Sequence, residues 1–196
     1  MIAGHSGLLA GAGLLLGAWG LPSVANGAPA QEPGFILESS TFKDGELVPL
    51  RIAFKSNAEF PYCFGENVSP ALSWKNPRPG VKSYALTVFE IEDPPHSSLV
   101  AYGIAASVTS FTEGEFNKPS EKYVAGRNFR NTPTWRGMCP PPNIGTSTHH
   151  YQFTVWGTDL DPKELPPGLT QEELVEKLKG HAKEKAILIA AFKRPS

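Results

Sequence analysis

Alternation of apolar and polar positions marks a series of short strands along most of the chain. The clearest is Ser83–Ile91 (SYALTVFEI), with Tyr84, Leu86 and Val88 on one face and Ala85, Thr87 and Phe89 on the other. Apolar residues on both faces make it a central strand. Tyr151–Trp156 (YQFTVW) alternates as cleanly, Val100–Val108 (VAYGIAASV) reads as a second buried strand, and Ala186–Phe192 (AILIAAF) as a closing one. Nearer the front, Gly34–Ser40 (GFILESS) and Val48–Phe54 (VPLRIAF) are short β-type runs on either side of the turn signal Lys43-Asp44-Gly45. One helix is expected. It starts at Thr170, where Glu173 completes a T-x-x-E capping box. Leu174, Val175, Leu178 and His181 supply its apolar stripe, His181 as a core histidine bonded to backbone. Between these elements Cys63–Leu72 and Asp159–Gly168 are punctuated connections, and Phe111–Pro133 reads as a long surface excursion. With no internal repeat and no domain-sized linker, the pattern predicts one mostly-β domain. Strand spacing points to a β-sandwich with a late C-terminal helix and peripheral loops.

Composition adds a compartment. The first thirty residues contain no Lys, Arg, Asp or Glu, Leu8–Trp19 is apolar and glycine-rich, and small residues lead to Ala28-Pro29-Ala30. That is the layout of a secretory signal peptide over 1–30, leaving 31–196 as an exported domain, periplasmic or secreted, with no transmembrane span. The n-region carries only His5; a small-residue tail and an uncleaved anchor are the alternatives. Net charge is −1, from 18 basic and 19 acidic residues with no Lys/Arg run, which argues against nucleic acid or an anionic membrane surface as main partner. Both cysteines, Cys63 and Cys139, lie in the exported part. One disulfide is allowed there, worth on the order of 4 kcal/mol in chain-entropy models, and two buried thiols are the alternative.

The candidate chemistry gathers in Gly137–Tyr151, GMCPPPNIGTSTHHY. Three prolines after Cys139 make a stiff loop with few backbone donors, which runs into His149-His150-Tyr151 at the head of a strand. Rigid irregular backbone beside an imidazole and a phenol can frame a small polar pocket; a proline-stiffened loop at a strand edge is the plainer alternative. Glu90 and Glu92 share a side by strand alternation and precede Asp93-Pro94-Pro95-His96, either as an exposed acidic turn or as a pocket wall. Adjacent His149 and His150 project to opposite faces and cannot easily share an ion, so no metal or cofactor is expected. No G-x-S-x-G elbow is present and no serine is placed convincingly beside His149, so the chain is read as non-enzymatic, with a hydrolase as the less favoured alternative. Asn67-Val68-Ser69 reads as a turn in which Asn67 bonds local backbone, rather than as a glycosylation acceptor.

Five segments together resemble the phosphatidylethanolamine-binding protein family (Raf-kinase-inhibitor-like proteins), in its bacterial exported branch. FKDGELVP is similar to the family's opening hairpin, CFGENVSPALSW to its C-x-G-x-N-x-S-P-x-L-x-W segment, and SYALTVFEIEDPP stands where it has D-P-D-x-P. GMCPPPNIGTSTHHYQFTVWGTD matches the G-P-C-P-P…H-R-Y region, and LKGHAKEKAILIAAFKR the closing helix and strand. The resemblance implies a β-sandwich-like fold and a non-enzymatic pocket for a small anion or phosphorylated head group. Carried over by motif, Glu90 and Glu92 replace the aspartates, and Pro94 is the motif proline, which is often cis in the family. Gly137, Cys139, Pro140 and Pro141 form the pocket floor, with His149 and Tyr151 as its polar wall, donating to phosphate oxygens. A family His-Trp pair is replaced by Ser98-Leu99, so a pocket histidine is missing; His96 is a nearby substitute. Met138 and His150 also depart from the pattern, and the loop between Pro141 and His149 is long. The alternative implied by the family is a protein-interaction module, a peptidase inhibitor or host-protein modulator, with Phe111–Pro133 as the inserting segment.

Overall fold

The computed structural model describes Met1, residues 34–142 and residues 148–195. The expected signal peptide and the centre of the loop between Pro141 and His149 lie outside the described residues. Contacts divide the chain into Met1–Glu32 and Pro33–Ser196, and the second unit holds every element described below.

Two antiparallel sheets face each other. The larger contains β3 (Ser83–Glu90), β4 (Ser97–Ala105), β6 (Val124–Ala125), β7 (His149–Thr158) and β8 (Ala182–Phe192) in the order β6-β4-β3-β7-β8. The smaller contains β1 (Ile36–Glu38), β2 (Leu72–Lys75) and β5 (Ser110–Phe111) in the order β1-β2-β5. The alternation in β3 distributes its side chains between two cores. Tyr84, Leu86 and Val88 join Phe153, Val155 and Leu188 of the larger sheet and Leu37, Leu72, Trp74 and Phe111 of the smaller. Ala85 points the other way, where Val100 and Tyr102 pack against Leu160, Leu174 and Leu178. Helix α1 (Gln171–Leu178) covers this outer face. Its capping box is complete: Glu173 N–H donates to Thr170 Oγ1 at 3.3 Å and Thr170 N–H to Glu173 Oε2 at 2.8 Å. Only Leu174 and Leu178 of the expected stripe are buried; Val175 is exposed. His181 lies beyond the helix, and its exposed ring meets Asp159 at 2.9 Å instead of entering the core.

Several expectations from the sequence are corrected. Val48–Phe54 is not a strand. Pro49 fixes φ at −58° and its carbonyl accepts from Ile52 N–H, so Leu50–Ile52 winds into a 3-10 turn. The expected opening hairpin is therefore absent, since β1 pairs with β2, while Leu47 bridges in parallel to Ala191 of β8. The Val100–Val108 strand is displaced toward the N-terminus, because a turn closed by Val108 N–H to Ala105 O ends β4 at Ala105. Phe111–Pro133 is irregular and mostly exposed, as expected, but it is anchored rather than a free surface excursion. Phe111, Phe116 and Tyr123 are buried with ring centroids 4.4 to 6.0 Å apart, and they anchor the segment beneath the smaller sheet.

What positions the cleft is a crossing of three irregular segments at Ala53. Phe54 N–H donates to Met138 O at 3.0 Å, Gly65 N–H to Phe54 O at 2.9 Å, and Asn67 N–H to Ala53 O at 2.8 Å. The chains lie so close that a Cβ on Gly65 would stand 2.0 Å from Ala53 O, and one on Gly137 2.5 Å from the Ala53 carbonyl carbon. Both obstacles are backbone and cannot swing aside. Gly65→Ala is expected to cost more than about 3 kcal/mol in urea unfolding, whereas Gly34→Ala, with open space around it, shifts stability by less than about 0.5 kcal/mol. Equal effects of the two substitutions would contradict the crossing.

Candidate functional site

Strand register assembles one wall of the cleft. Glu90 closes β3 directly opposite Tyr151 of β7, and His149 lies two residues from Tyr151 on the same face. Glu90 thereby receives two partners: His149 Nδ1 lies 2.6 Å from Oε1, and the Tyr151 hydroxyl donates to Oε2 at 3.1 Å. All three side chains are buried. The contact to Glu90 Oε1 fixes the orientation of the His149 ring. Glu92, one turn further and half-exposed, makes the equivalent pair with His150, accepting from its backbone N–H at 2.8 Å and lying 2.7 Å from its ring Nδ1. His149 and His150 thus face opposite ways.

The floor is the proline loop. Gly137 N–H donates to Asn67 Oδ1 at 2.7 Å, with Asn67 itself at a left-handed φ of 60°. The expected turn role of Asn67 thus reaches across to the floor rather than staying local. Cys139 is joined to Cys63 by a disulfide. Arg194 caps the far side, reaching Pro142 O at 3.2 Å.

Floor and wall enclose a cleft of about 290 Å³. Of the sequence-derived site residues, Glu90, Glu92, Gly137, Cys139, Pro140, Pro141, His149 and Tyr151 line it. Pro94 does not: it sits in the turn closed by His96 N–H to Asp93 O, and among the described residues every peptide bond is trans. His96 lines the cleft, its ring 4.4 Å from that of Phe129 and its Nδ1 2.5 Å from Asp93 Oδ2; Ser98 lines it too. Asp93 lines it as well, and Phe60, Tyr62, Phe129, Arg130 and Arg136 complete the lining, these last five unforeseen from the sequence. The available signal was the density of aromatics between Phe54 and Phe64, which a solvent loop does not need, and an arginine next to Gly137.

Electrostatics separates the groups. Burial, reinforced by the Glu90 charge, pushes the Tyr151 phenol well above its ordinary range. Burial also acts to raise the Glu92 carboxyl, but the bonds from His150 outweigh it and hold the group below the usual carboxylate range. Burial, then repulsion from Arg130, lowers Arg136. One oxygen each of Glu90 and Glu92 and one nitrogen of His149 lie within 4.8 Å of one another, a set that could grip a cation. Such an ion would have to displace the bonds to His149, Tyr151 and His150 just described.

The chain belongs to the phosphatidylethanolamine-binding protein family, whose model matches residues 38–193. It is 33% identical to the UPF0098 protein YbcL of Escherichia coli over 144 residues, covering 70% of this chain and 74% of that one. The putative lipoprotein LppC of Mycobacterium tuberculosis is 31% identical over 170 residues, 84% of this chain and 75% of the relative. Among solved structures, the crystal structure of E. coli YbcL, described as a new member of the mammalian PEBP family, superimposes with a TM-score of 0.70 at 26% identity, covering 81% of this chain and 98% of the other. The putative homologue CT736 of Chlamydia trachomatis shares the fold, with a TM-score of 0.68 at 24% identity over 82% of this chain and 98% of that one.

The raised Tyr151 pKa gives a pH test. Below about pH 10 the phenol is protonated in both folded and unfolded chains. Above that, only the unfolded chain's phenol ionises, so stability falls as pH climbs toward the folded value. Between about pH 9.5 and 11, wild type is therefore expected to lose melting temperature faster than Tyr151→Phe. Parallel curves would show that the phenol is not held protonated by its site.

Proposed function

We propose that the protein is an exported, non-catalytic binding protein whose cleft takes a small phosphorylated anion such as a free head group. The observation that carries this reading is the preformed cleft itself, in which the Glu90-anchored His149 stands beside a floor stiffened by Pro140, Pro141 and the disulfide. Preorganisation of this kind lowers the ordering cost of binding. At about 290 Å³ the cleft sits near the lower end of ligand pockets, which suits a head group rather than acyl chains. The family model's own description, phosphatidylethanolamine-binding protein, supports the same ligand chemistry.

A binding role rather than catalysis is favoured by Tyr151, whose raised pKa suits it poorly to proton transfer near neutral pH. The phenol's hydrogen is committed to Glu90, so the donor role expected for Tyr151 toward phosphate passes to other groups of the cleft. Export is supported by the signal-like composition of residues 1–30, by a disulfide suited to oxidising compartments, and by the lipoprotein name of the M. tuberculosis relative. Among the described residues no helix is long and apolar enough to cross a membrane.

Calorimetric titration with inorganic phosphate, O-phosphorylethanolamine and phosphatidylethanolamine vesicles, beside His149→Ala, tests the reading. Sub-millimolar binding of at least one phosphate, lost in His149→Ala, is expected. No heat and no thermal shift up to several millimolar would overturn it.

A further inference from the structure

We propose that Arg136 is the anion anchor of the cleft, and that it selects a phosphate group presenting two oxygens to a guanidinium fork; this rests on the binding reading above. The chain has six arginines. Five of them find polar partners: Arg51 bonds Glu113, Arg78 pairs with Glu184, Arg127 bonds Gly168 O, Arg130 pairs with Glu59, and Arg194 bonds Pro142 O. The Arg136 guanidinium has no hydrogen bond or ion pair among the described residues, and only its backbone N–H is used, donating to Ser98 O at 3.0 Å.

Aromatic rings hold it instead. Its Cζ lies 3.5 Å from the centroid of Phe54, 4.5 Å from that of Phe60 and 5.6 Å from that of Phe129. Ring faces attract the charge but offer the in-plane N–H donors no acceptor, so the fork stays available while its position is set. Arg130 stacks on the same Phe60 ring at 4.9 Å, but Glu59 already neutralises it.

Carboxylates are present in the cleft, yet they are engaged elsewhere. Glu90 is bonded by His149 and Tyr151, Glu92 by His150, and Asp93 lies against His96. Arg136 feels Glu59 only through longer-range attraction, which burial and the repulsion from Arg130 outweigh. A partly desolvated cation without an ion pair is costly, and a bound oxyanion reduces that cost by accepting two parallel N–H bonds. Lysine cannot replace this arrangement, since it has neither the planar face to stack nor the fork.

The test follows the Arg136 Nε–Hε signal by NMR, assigned through its loss in Arg136→Lys, while the protein is titrated with inorganic phosphate. Affinities are measured for wild type, Arg136→Lys, Arg136→Met and His149→Ala, with far-UV circular dichroism confirming that each variant folds. The signal is expected to move saturably, and Arg136→Met to weaken phosphate binding by about tenfold or more, with Arg136→Lys also weakened. Competition by O-phosphorylethanolamine or by phosphatidylethanolamine vesicles then separates a free ester from a lipid head group as the source of the phosphate. If wild type binds phosphate and His149→Ala does not, while Arg136→Met binds within twofold of wild type, Arg136 is only a packing residue and the binding reading survives. If wild type binds no phosphate at all, both fall.

Discussion

Three stretches of irregular backbone meet at Ala53 closer than a side chain would permit, and the cleft depends on that crossing. Only glycine at 65 and 137 lets the segments touch, and the bonds from Phe54, Gly65 and Asn67 hold them once they do. The Cys63–Cys139 disulfide ties two of the same segments a few residues further on. A loop carrying Pro140 and Pro141 is thereby tied to the neighbouring segments by backbone bonds and a disulfide. The floor of the cleft is backbone because backbone is all that fits.

Against that floor the larger sheet delivers chemistry by register alone. Pairing Glu90 with Tyr151 places His149 on the same face, so one carboxylate is satisfied by an imidazole and a phenol. The same alternation sends His150 outward to Glu92. The acidic groups at the back of the cleft are thus consumed by their neighbours. What remains at its side without an ion pair among the described residues is a guanidinium held over aromatic rings. On the proposed reading, it is charge balance rather than the number of charges that would let the cleft prefer an anion.

Much of this was legible in the sequence where the signal is local. Ser83–Glu90 and the strand containing Tyr151–Trp156 follow from alternation, and the Thr170–Glu173 box marks the helix start to the residue. The pocket wall and floor could be named because Glu90, Gly137, Cys139, His149 and Tyr151 lie in two compact motifs. The failures are of the opposite kind. Pro49 opens a 3-10 turn in a strand-like run, closed by bonds from Ile52 N–H to Pro49 O and from Ala53 N–H to Leu50 O that periodicity does not register. Phe111, Phe116 and Tyr123 carry no strand or helix period, so a buried aromatic anchor looked like a surface loop. His181 looked apolar only if the helix ran on, and it stops at Leu178. Arg136 is an ordinary loop arginine until Phe54, Phe60 and Phe129 are brought around it from distant parts of the chain.

The most direct measurement is diffraction from crystals grown without phosphate or sulfate and soaked in arsenate, with data collected at the arsenic absorption edge. We expect an anomalous peak within the cleft, between the Gly137–Pro141 floor and the Arg136 guanidinium, with His149 beside it. A cleft without anomalous density at saturating arsenate, in crystals whose solvent channels reach it, would contradict the claim that this backbone crossing builds an anion site.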